Sequence, residues 1–343
     1  MQSLAVKYRP KEFSEVVGQT ITTKILNKTI EEENFSNTIL FAGPSGCGKT
    51  TLARIFANKI NKGLGKPIEI DAASNNGVDQ VRSIIDDMSS RALVGEYKTY
   101  IIDECHMITK EGWNAFLKGI EECPKYTVLL FCTTEPNKIP ATILNRVQRY
   151  NLSKISATDI KARLEYISQQ EGFINYNETC DIIAKTCQGG MRDAIATLEQ
   201  CASFSTDLKL DNTKQVLGES NFETMFRLTW AIQQKKNEQV ISILDGLYNT
   251  GLDLKQFINV YLDFVLDLEK YILSKDISLT AIPEYLATEK NPVVQFTIKA
   301  ENSLNYFIKL SEAILDIKQK IKYDNSYKST IEILLLKFSR EAQ

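Results

Sequence analysis

Residues 43–50 have the composition of a phosphate-binding loop. They fit the pattern G-x-x-x-x-G-K-[ST], between an apolar run and an amphipathic helical pattern. Glycines let backbone amides curl around phosphate oxygens, and a helix N-terminus adds positive potential. We expect Lys49 to reach the outer phosphates of a nucleoside triphosphate and Thr50 to hold Mg²⁺; the alternative is a glycine turn without a ligand. The predicted nucleotide-binding residues here are Gly43, Pro44, Ser45, Gly46, Cys47, Gly48, Lys49, Thr50 and Thr51.

Asp103 and Glu104 close another apolar run, which begins at Tyr100. A carboxylate at the end of a buried strand can face a metal ion, and a neighbouring glutamate can polarise the attacking water as a general base. The alternative is a solvated strand end, but downstream of a phosphate-binding loop the pair indicates hydrolysis of the nucleotide. His106 is the single histidine of the sequence. We interpret it as a packing residue or a support of the site rather than as a catalytic residue.

Short apolar runs alternate with helical patterns up to about residue 152. The predicted strands are Thr38–Ala42, Ile68–Asp71, Thr99–Asp103, Tyr126–Cys132 and Arg149–Leu152. Between them apolar residues recur at helical spacing, for example from Leu52 to Ile60 and from Val78 to Met88. Alternation of this kind predicts an α/β fold in which helices cover a parallel sheet.

From Ser156 onward the sequence favours helices without strands. Ser156 and Asp159 form a capping-box-like start for a helix that runs to about Gln170. Asn177 is predicted to cap a second helix, which residues 189–190, both glycine, should end.

A third helix is predicted over Met191–Phe204, and a turn at Gly218–Ser220 leads into a longer helical region. In its last helix one apolar stripe recurs at i, i+3, i+4 and i+7, at Ile331, Leu334, Leu335 and Phe338. We therefore predict three domains: a nucleotide-binding core over 1–154, a helical lid over 155–218 and a helical oligomerisation domain over 219–343.

The composition is that of an ordinary globular protein. Of the 343 residues, 43% are hydrophobic and 24% are charged, and the net charge is −2. So small a charge does not suggest wholesale coating of nucleic acid, and any DNA contact must come from a local basic or amide-rich surface. Seven cysteines without a C-x-x-C pair and one histidine predict no zinc site. Without a signal segment or a run of about 18 apolar residues, we expect a cytoplasmic protein with no membrane contact.

Six further segments match one family pattern in order and spacing. They are residues 4–10, 16–19, 68–74, 133–140, 142–146 and 190–194. They resemble, in turn, two opening segments, the segment before a DNA-facing helix, the sensor 1 strand with its loop, the Ser-Arg-Cys motif and the sensor 2 helix of clamp-loader AAA+ ATPases. The likeness covers about residues 4–217 and points to the DNA polymerase III gamma/tau branch. It implies a P-loop AAA+ core, a helical lid and an all-α collar domain.

The resemblance implies roles around the γ-phosphate of ATP. Arg146 would be an arginine finger that serves the neighbouring subunit; the alternative is a surface arginine. Thr134 would be the sensor 1 residue, with Thr133 as the adjacent alternative. Arg192 would be the sensor 2 residue, unless it forms an ion pair with Asp193 instead.

Other implied positions complete the ATP site. Lys49 and Glu104 would be catalytic, and Thr50 and Asp103 would hold Mg²⁺. The adenine end would be lined by Tyr8, Arg9, Pro10, Val17 and Gly18, although Val17 could equally belong to the core.

The sequence departs from the family pattern in three places. The four-cysteine zinc module that usually precedes the segment 68–74 is replaced by Asn61–Pro67, so no zinc is expected. The Ser-Arg-Cys motif reads Asn145-Arg146-Val147, which keeps the arginine and changes its neighbours. The sequence ends at Gln343 without a tau-like extension, so we expect a short form of the family.

The resemblance also implies contacts with DNA and with a ring clamp. Helix N-termini of the family follow the phosphates of the duplex, and the matching positions are Asn75, Asn76, Gly77, Thr109 and Lys110. The alternative is ordinary helix capping, by Asn75 or Asn76 for one helix and by Thr109 for the next. The loop Ser89–Val94 could face the clamp or be a plain loop.

These features together predict an ATPase subunit of a clamp loader. It would join other loader subunits in a ring or spiral, expected to be a pentamer, open a sliding clamp and place it on primer–template DNA. The alternatives are an ATP-binding scaffold of a replication complex with little turnover, and another AAA+ motor that acts on DNA.

Overall fold

The computed structural model describes residues 2–217, 219–249, 251–280, 282, 303–324 and 326–341. The chain divides into two compact units, Met1–Lys209 and Leu210–Gln343. The first unit holds every predicted site residue. Because this division does not separate 1–154 from the helices that follow, the three-domain organisation stays a prediction.

A parallel sheet forms the centre of the first unit. Its strands are β1 (Thr38–Ala42), β2 (Ile68–Asp71), β3 (Lys98–Asp103), β4 (Thr127–Thr133) and β5 (Gln148–Asn151). Within the described residues their order is β2-β3-β4-β1-β5, with every neighbouring pair parallel. The five predicted strands are confirmed, with ends moved by one residue in β3, β4 and β5. Because the strands are parallel, the loop after β1 and the acidic end of β3 lie at the same edge of the sheet. Only β4 lies between these two strands.

Helices surround this sheet and follow it. Those of the first unit are α1 (Leu4–Lys7), α2 (Thr20–Glu31), α3 (Lys49–Ile60), α4 (Val78–Met88), α5 (Lys110–Glu121), α6 (Ala141–Leu144), α7 (Ala157–Glu171), α8 (Asn177–Thr186) and α9 (Met191–Phe204). Ile39 and Phe41 of β1 are buried with α2 and α3, whereas Leu40 is buried with α4 and α5. Successive strand side chains point to opposite faces, so a continuously apolar strand is covered on both sides. The predicted three-layer α/β core is confirmed.

Local signals place the helices after the sheet. The Ser156 hydroxyl accepts a hydrogen bond from the Asp159 amide at 3.1 Å and caps α7, as predicted. The cap predicted at Asn177 is wrong by one residue: Tyr176 is the N-cap of α8 and makes no side-chain cap bond. Gly190 lies in the N-cap position of α9, so this glycine starts a helix rather than ending one.

The second unit is helical throughout its described part. Its helices are α10 (Leu210–Leu217), α11 (Glu219–Gln233), α12 (Asn237–Asn249), α13 (Leu254–Ser274), α14 (Ser303–Ile321) and α15 (Tyr327–Glu341). The predicted stripe on the last helix is confirmed: Ile331 and Leu335 are fully buried, with Leu334 and Phe338 packed against the same core. The predicted turn at 218–220 is wrong at its last two residues, which lie in α11; residue 218 lies outside the described residues. No helix in the described part is long and apolar enough to span a membrane.

Candidate nucleotide-binding site

The phosphate-binding loop is fixed between β1, β4 and α3. The Gly43 amide donates to the Thr133 carbonyl at 3.1 Å, which ties the loop to the end of β4. Gly48 caps α3 at φ +105°, a conformation that glycine adopts readily. The Lys49 ammonium is buried and donates to the carbonyls of Gly43 (3.0 Å) and Pro44 (2.9 Å). The loop therefore holds a buried positive charge where an anionic group is expected.

A cavity of about 170 Å³ opens above this loop. Ser45–Thr51 line it, together with Asp103 and Glu104 from the end of β3. Gly43 and Pro44 are absent from its lining and contribute through the carbonyls that bind Lys49. The loop and the acidic strand end, 53 residues apart between Thr50 and Asp103, thus face one cavity.

Thr50 and Asp103 form a hard-oxygen pair at the start of α3. The Thr50 hydroxyl donates to Asp103 Oδ2 at 2.9 Å. One hydroxyl and one carboxylate oxygen are ligands that Mg²⁺ accepts when phosphate oxygens and water complete its shell. The donor set therefore fits Mg²⁺ bound together with a nucleotide.

Glu104 lies at the end of β3 in a strained backbone conformation. Its φ of 46° and ψ of 42° are in the left-handed region, which costs a non-glycine residue on the order of 1 kcal/mol. The turn brings its carboxylate to β4, where the Thr134 hydroxyl donates to Glu104 Oε2 at 3.0 Å. Thr133 is fully buried, and its hydroxyl accepts from the Glu135 amide at 3.0 Å. Of the two predicted candidates for the sensor 1 residue, Thr134 therefore contacts Glu104 through its hydroxyl, and neither threonine lines the cavity.

The start of α9 packs directly on the phosphate-binding loop. The Met191 amide donates to the Gly46 carbonyl at 3.1 Å, and Arg192 lines the cavity. No ion pair joins Arg192 and Asp193 in the described part of the chain. Consecutive helical residues do not face each other, which explains why this alternative fails.

The backbone contact between the loop and α9 predicts the effect of one substitution. A methyl group at Gly46, where φ is +71°, would lie 2.8 Å from Gly190 Cα. We expect Gly46→Ala to separate the loop from α9 and to weaken ATP binding about tenfold or more. Gly172→Ala is the matched control because Gly172 has φ +72° and no atom within 4 Å of the added methyl. Equilibrium binding of ATP checks this, and equal affinities for the two variants would contradict it.

The predicted adenine end is built by the N-terminal segment. Tyr8, Arg9, Pro10 and Val17 line the cavity, whereas Gly18 is absent from its lining. The Tyr8 hydroxyl donates to the Glu171 carboxylate of α7. Burial and this hydrogen bond raise the pKa of Tyr8 to about 12, so the phenol stays protonated.

Sequence reasoning missed several residues of this site, among them Gln19, Arg163 and Ile195. Gln19 is buried, and its amide donates to the carbonyls of Ser153 (2.8 Å) and Cys47 (3.3 Å), which braces the phosphate-binding loop. Arg163 of α7 lines the cavity and donates to the Tyr8 carbonyl at 2.9 Å, and Ile195 of α9 also lines it. Gln19 could have been found, because it ends the segment 16–19 that matches the family pattern. Arg163 and Ile195 lie outside the matching segments, so no pattern in the sequence indicated their place in the site.

Arg146 lies apart from this cavity. Its guanidinium donates to Glu121 Oε1 (2.7 Å) and to the Thr142 carbonyl (2.8 Å), and its side chain is 40% exposed. It is absent from the cavity lining, so the structure does not bring it to the nucleotide site of its own chain.

The predicted DNA contacts gather at the starts of α4 and α5. The Asn76 carbonyl accepts from the Thr109 amide at 3.1 Å, and Thr109 caps α5, whose first residue is Lys110. The alternative in which Asn75 or Asn76 caps α4 is wrong, because Gly77 is the N-cap. The side-chain amide of Asn75 instead donates to the backbone carbonyl of Asp71 at 3.1 Å.

The loop after α4, for which a clamp-facing role and a plain loop were both open, exposes two apolar residues. Leu93 is fully exposed and Val94 is 58% exposed. The base of the loop is fixed because the Lys98 ammonium donates to the Asp87 carboxylate and to the Ser90 hydroxyl.

Solved structures place this architecture in a known class. The Thermotoga maritima RuvB Holliday junction branch migration motor superposes with a TM-score of 0.54 at 19% identity, over 72% of this chain and 86% of that chain. The chain shares the fold of this motor, and the predicted P-loop AAA+ fold is confirmed.

Sequence comparison gives the family. Residues 66–156 match the family model described as DNA polymerase III, delta subunit. The chain is 36% identical to DNA polymerase III subunit tau of Bacillus subtilis over 79% of this chain and 52% of the relative. It is 28% identical to DNA polymerase III subunit gamma of Buchnera aphidicola over 98% of this chain and 97% of the relative. The chain belongs to the DNA polymerase III gamma/tau family, and it spans about half the length of relatives such as the Bacillus protein.

Proposed function

We propose that this chain is an ATP-hydrolysing subunit of a clamp loader. The observation that carries the proposal is the placement of Glu104, the candidate general base, which lines the same cavity as the phosphate-binding loop and accepts a hydrogen bond from Thr134 at 3.0 Å. A chain that only bound ATP as a scaffold would have no need of this strained and hydrogen-bonded glutamate.

The residues of the site divide the chemistry among them. Lys49 and the amides at the start of α3 bind the phosphates. Thr50 and Asp103 hold Mg²⁺, which supplies neutralisation of the charge that develops on the phosphate oxygens. Glu104 accepts the proton of the attacking water, and the Thr134 hydroxyl fixes the carboxylate in place.

Hydrolysis is coupled to the neighbouring subunit and to the α7–α9 lid. Arg146 lies outside its own cavity and serves the γ-phosphate held by a neighbour. Arg192 at the start of α9 senses the γ-phosphate bound in its own cavity, and the backbone contact between Met191 and Gly46 transmits the nucleotide state to the lid. A ring or spiral of subunits, expected to be a pentamer, then opens the sliding clamp.

DNA is followed by helix N-termini within that spiral. The starts of α4 and α5 lie side by side and offer backbone amides to phosphates. Residues 75–77 are uncharged and Lys110 is the cation among the predicted contacts, so each subunit contributes a modest salt dependence to DNA binding.

Steady-state ATP hydrolysis tests the proposal. The purified chain is measured with its co-purifying partners, alone, with primed DNA, with the sliding clamp of the same organism, and with both. We expect stimulation by both that exceeds the sum of the single effects. ATP binding without turnover under every condition would support the scaffold, and stimulation by DNA with no effect of the clamp would support another DNA motor.

A further inference from the structure

His106 lies between two carboxylates beside the ATP site. It belongs to the short 3₁₀ helix Cys105–Met107 that directly follows Glu104, and its side chain is 8% exposed. Nδ1 lies 3.1 Å from Thr133 Oγ1 and 3.3 Å from Glu104 Oε2, and Nε2 lies 3.4 Å from Glu135 Oε1. Both ring nitrogens therefore face oxygen atoms, which simple packing does not require.

A neutral imidazole has a single ring proton, so it can donate on one side only. Nδ1 is within hydrogen-bond distance of Thr133 Oγ1 and also faces Glu104 Oε2, whereas Nε2 faces a single oxygen at 3.4 Å. The two nearer oxygens on the Nδ1 side favour a neutral ring with its proton on Nδ1, facing Thr133 and Glu104.

We propose that His106 is a positioning residue for Glu104. Nδ1 at 3.3 Å and the Thr134 hydroxyl at 3.0 Å both face the same carboxylate oxygen, Oε2, so together they restrict the rotamer of the general base. Thr133 links this contact to the loop after β4, because its hydroxyl also accepts from the Glu135 amide at 3.0 Å. The inference rests on the proposed catalytic role of Glu104 and adds a residue to it.

Nuclear magnetic resonance of the ring tests the inference without any turnover. The chain has one histidine, so ¹⁵N-histidine labelling of the full chain, made without a histidine tag, gives one pair of ring nitrogens. We expect a protonated Nδ1 and an unprotonated Nε2, and we expect Glu104→Ala to move the Nδ1 resonance. Glu122→Ala, on the exposed end of α5, should leave it in place. A wild-type ring protonated on Nε2, or a Nδ1 resonance that ignores Glu104→Ala, would overturn the proposal.

Two substitutions separate positioning from packing by kinetics. The amide of His106→Asn can replace the Nδ1 donor, whereas the amide of His106→Gln reaches toward the Nε2 position. We expect the glutamine variant to lose about 10- to 100-fold in kcat at unchanged KM for ATP, and the asparagine variant to stay within about threefold of wild type. Equal kcat values for the two variants would overturn positioning by Nδ1. The proposed function fails separately, by the absence of clamp stimulation in the wild-type chain.

Discussion

Glu104→Gln is expected to abolish ATP turnover and to leave ATP binding intact. Glutamine has nearly the shape of glutamate and can still accept the hydrogen bond from Thr134, which the wild-type carboxylate accepts at 3.0 Å. It cannot accept the proton of the attacking water. Loss of a general base costs about 10²- to 10⁴-fold in rate. Lys49, Thr50 and Asp103 are unchanged, so the affinity for ATP should stay at the wild-type value or rise.

The measurement pairs kcat with an equilibrium binding constant for ATP. Glu122→Gln is the control, because its side chain is 68% exposed and lies 4.0 Å from Lys118. That variant should match wild type in both quantities. A Glu104→Gln chain that retains more than about a tenth of the wild-type kcat would contradict the general-base assignment.

Arg146→Ala is expected to remove turnover in the assembled complex while sparing ATP binding. An arginine finger can be worth about 10³- to 10⁵-fold in rate in GTPases, and we expect a loss on the order of 10³-fold here. The ion pair with Glu121 is 40% and 51% exposed on its two sides, so its removal should change stability little. The matched control is Arg149→Ala, an exposed arginine of β5 that donates to Asn151.

Mixing two inactive variants tests whether Arg146 acts on a neighbour. A Lys49→Ala chain keeps its arginine, and an Arg146→Ala chain keeps its phosphate-binding loop. Where Arg146 of a Lys49→Ala subunit reaches the nucleotide site of an Arg146→Ala subunit, one complete site forms. The mixture should therefore recover part of the wild-type rate. A mixture as inactive as either variant alone would show that the assignment across subunits is wrong.

Strands and the phosphate-binding loop were predictable because their signals are local. Continuous apolar runs such as 38–42 and 127–133 are buried on both faces, and a five-residue run needs no knowledge of its partners to be recognised. Thr50 and Asp103 were predictable as partners because Thr50 lies in the first turn of α3 and Asp103 ends β3 at the same edge of the sheet. Their contact at 2.9 Å is the outcome of strand order, which places β1 and β3 on either side of β4.

Contacts between distant segments left no such signal. Gln19 braces the loop through the carbonyl of Ser153, and Arg163 supports Tyr8 across 155 residues of sequence. A backbone carbonyl can be supplied by any residue type, so neither partnership appears as a pattern. The cap predicted for α4 failed for a related reason: Asn75 uses its amide for the carbonyl of Asp71, and glycine takes the cap position.

Clamp loading itself tests the central claim most directly. The chain with its co-purifying partners is incubated with labelled sliding clamp, singly primed circular DNA and ATP, and DNA-bound clamp is separated by gel filtration. We predict that clamp elutes with the DNA, that it is released when the circle is linearised, and that Lys49→Ala removes the effect. Retention that is the same without ATP, or no retention although the chain hydrolyses ATP, would contradict the account.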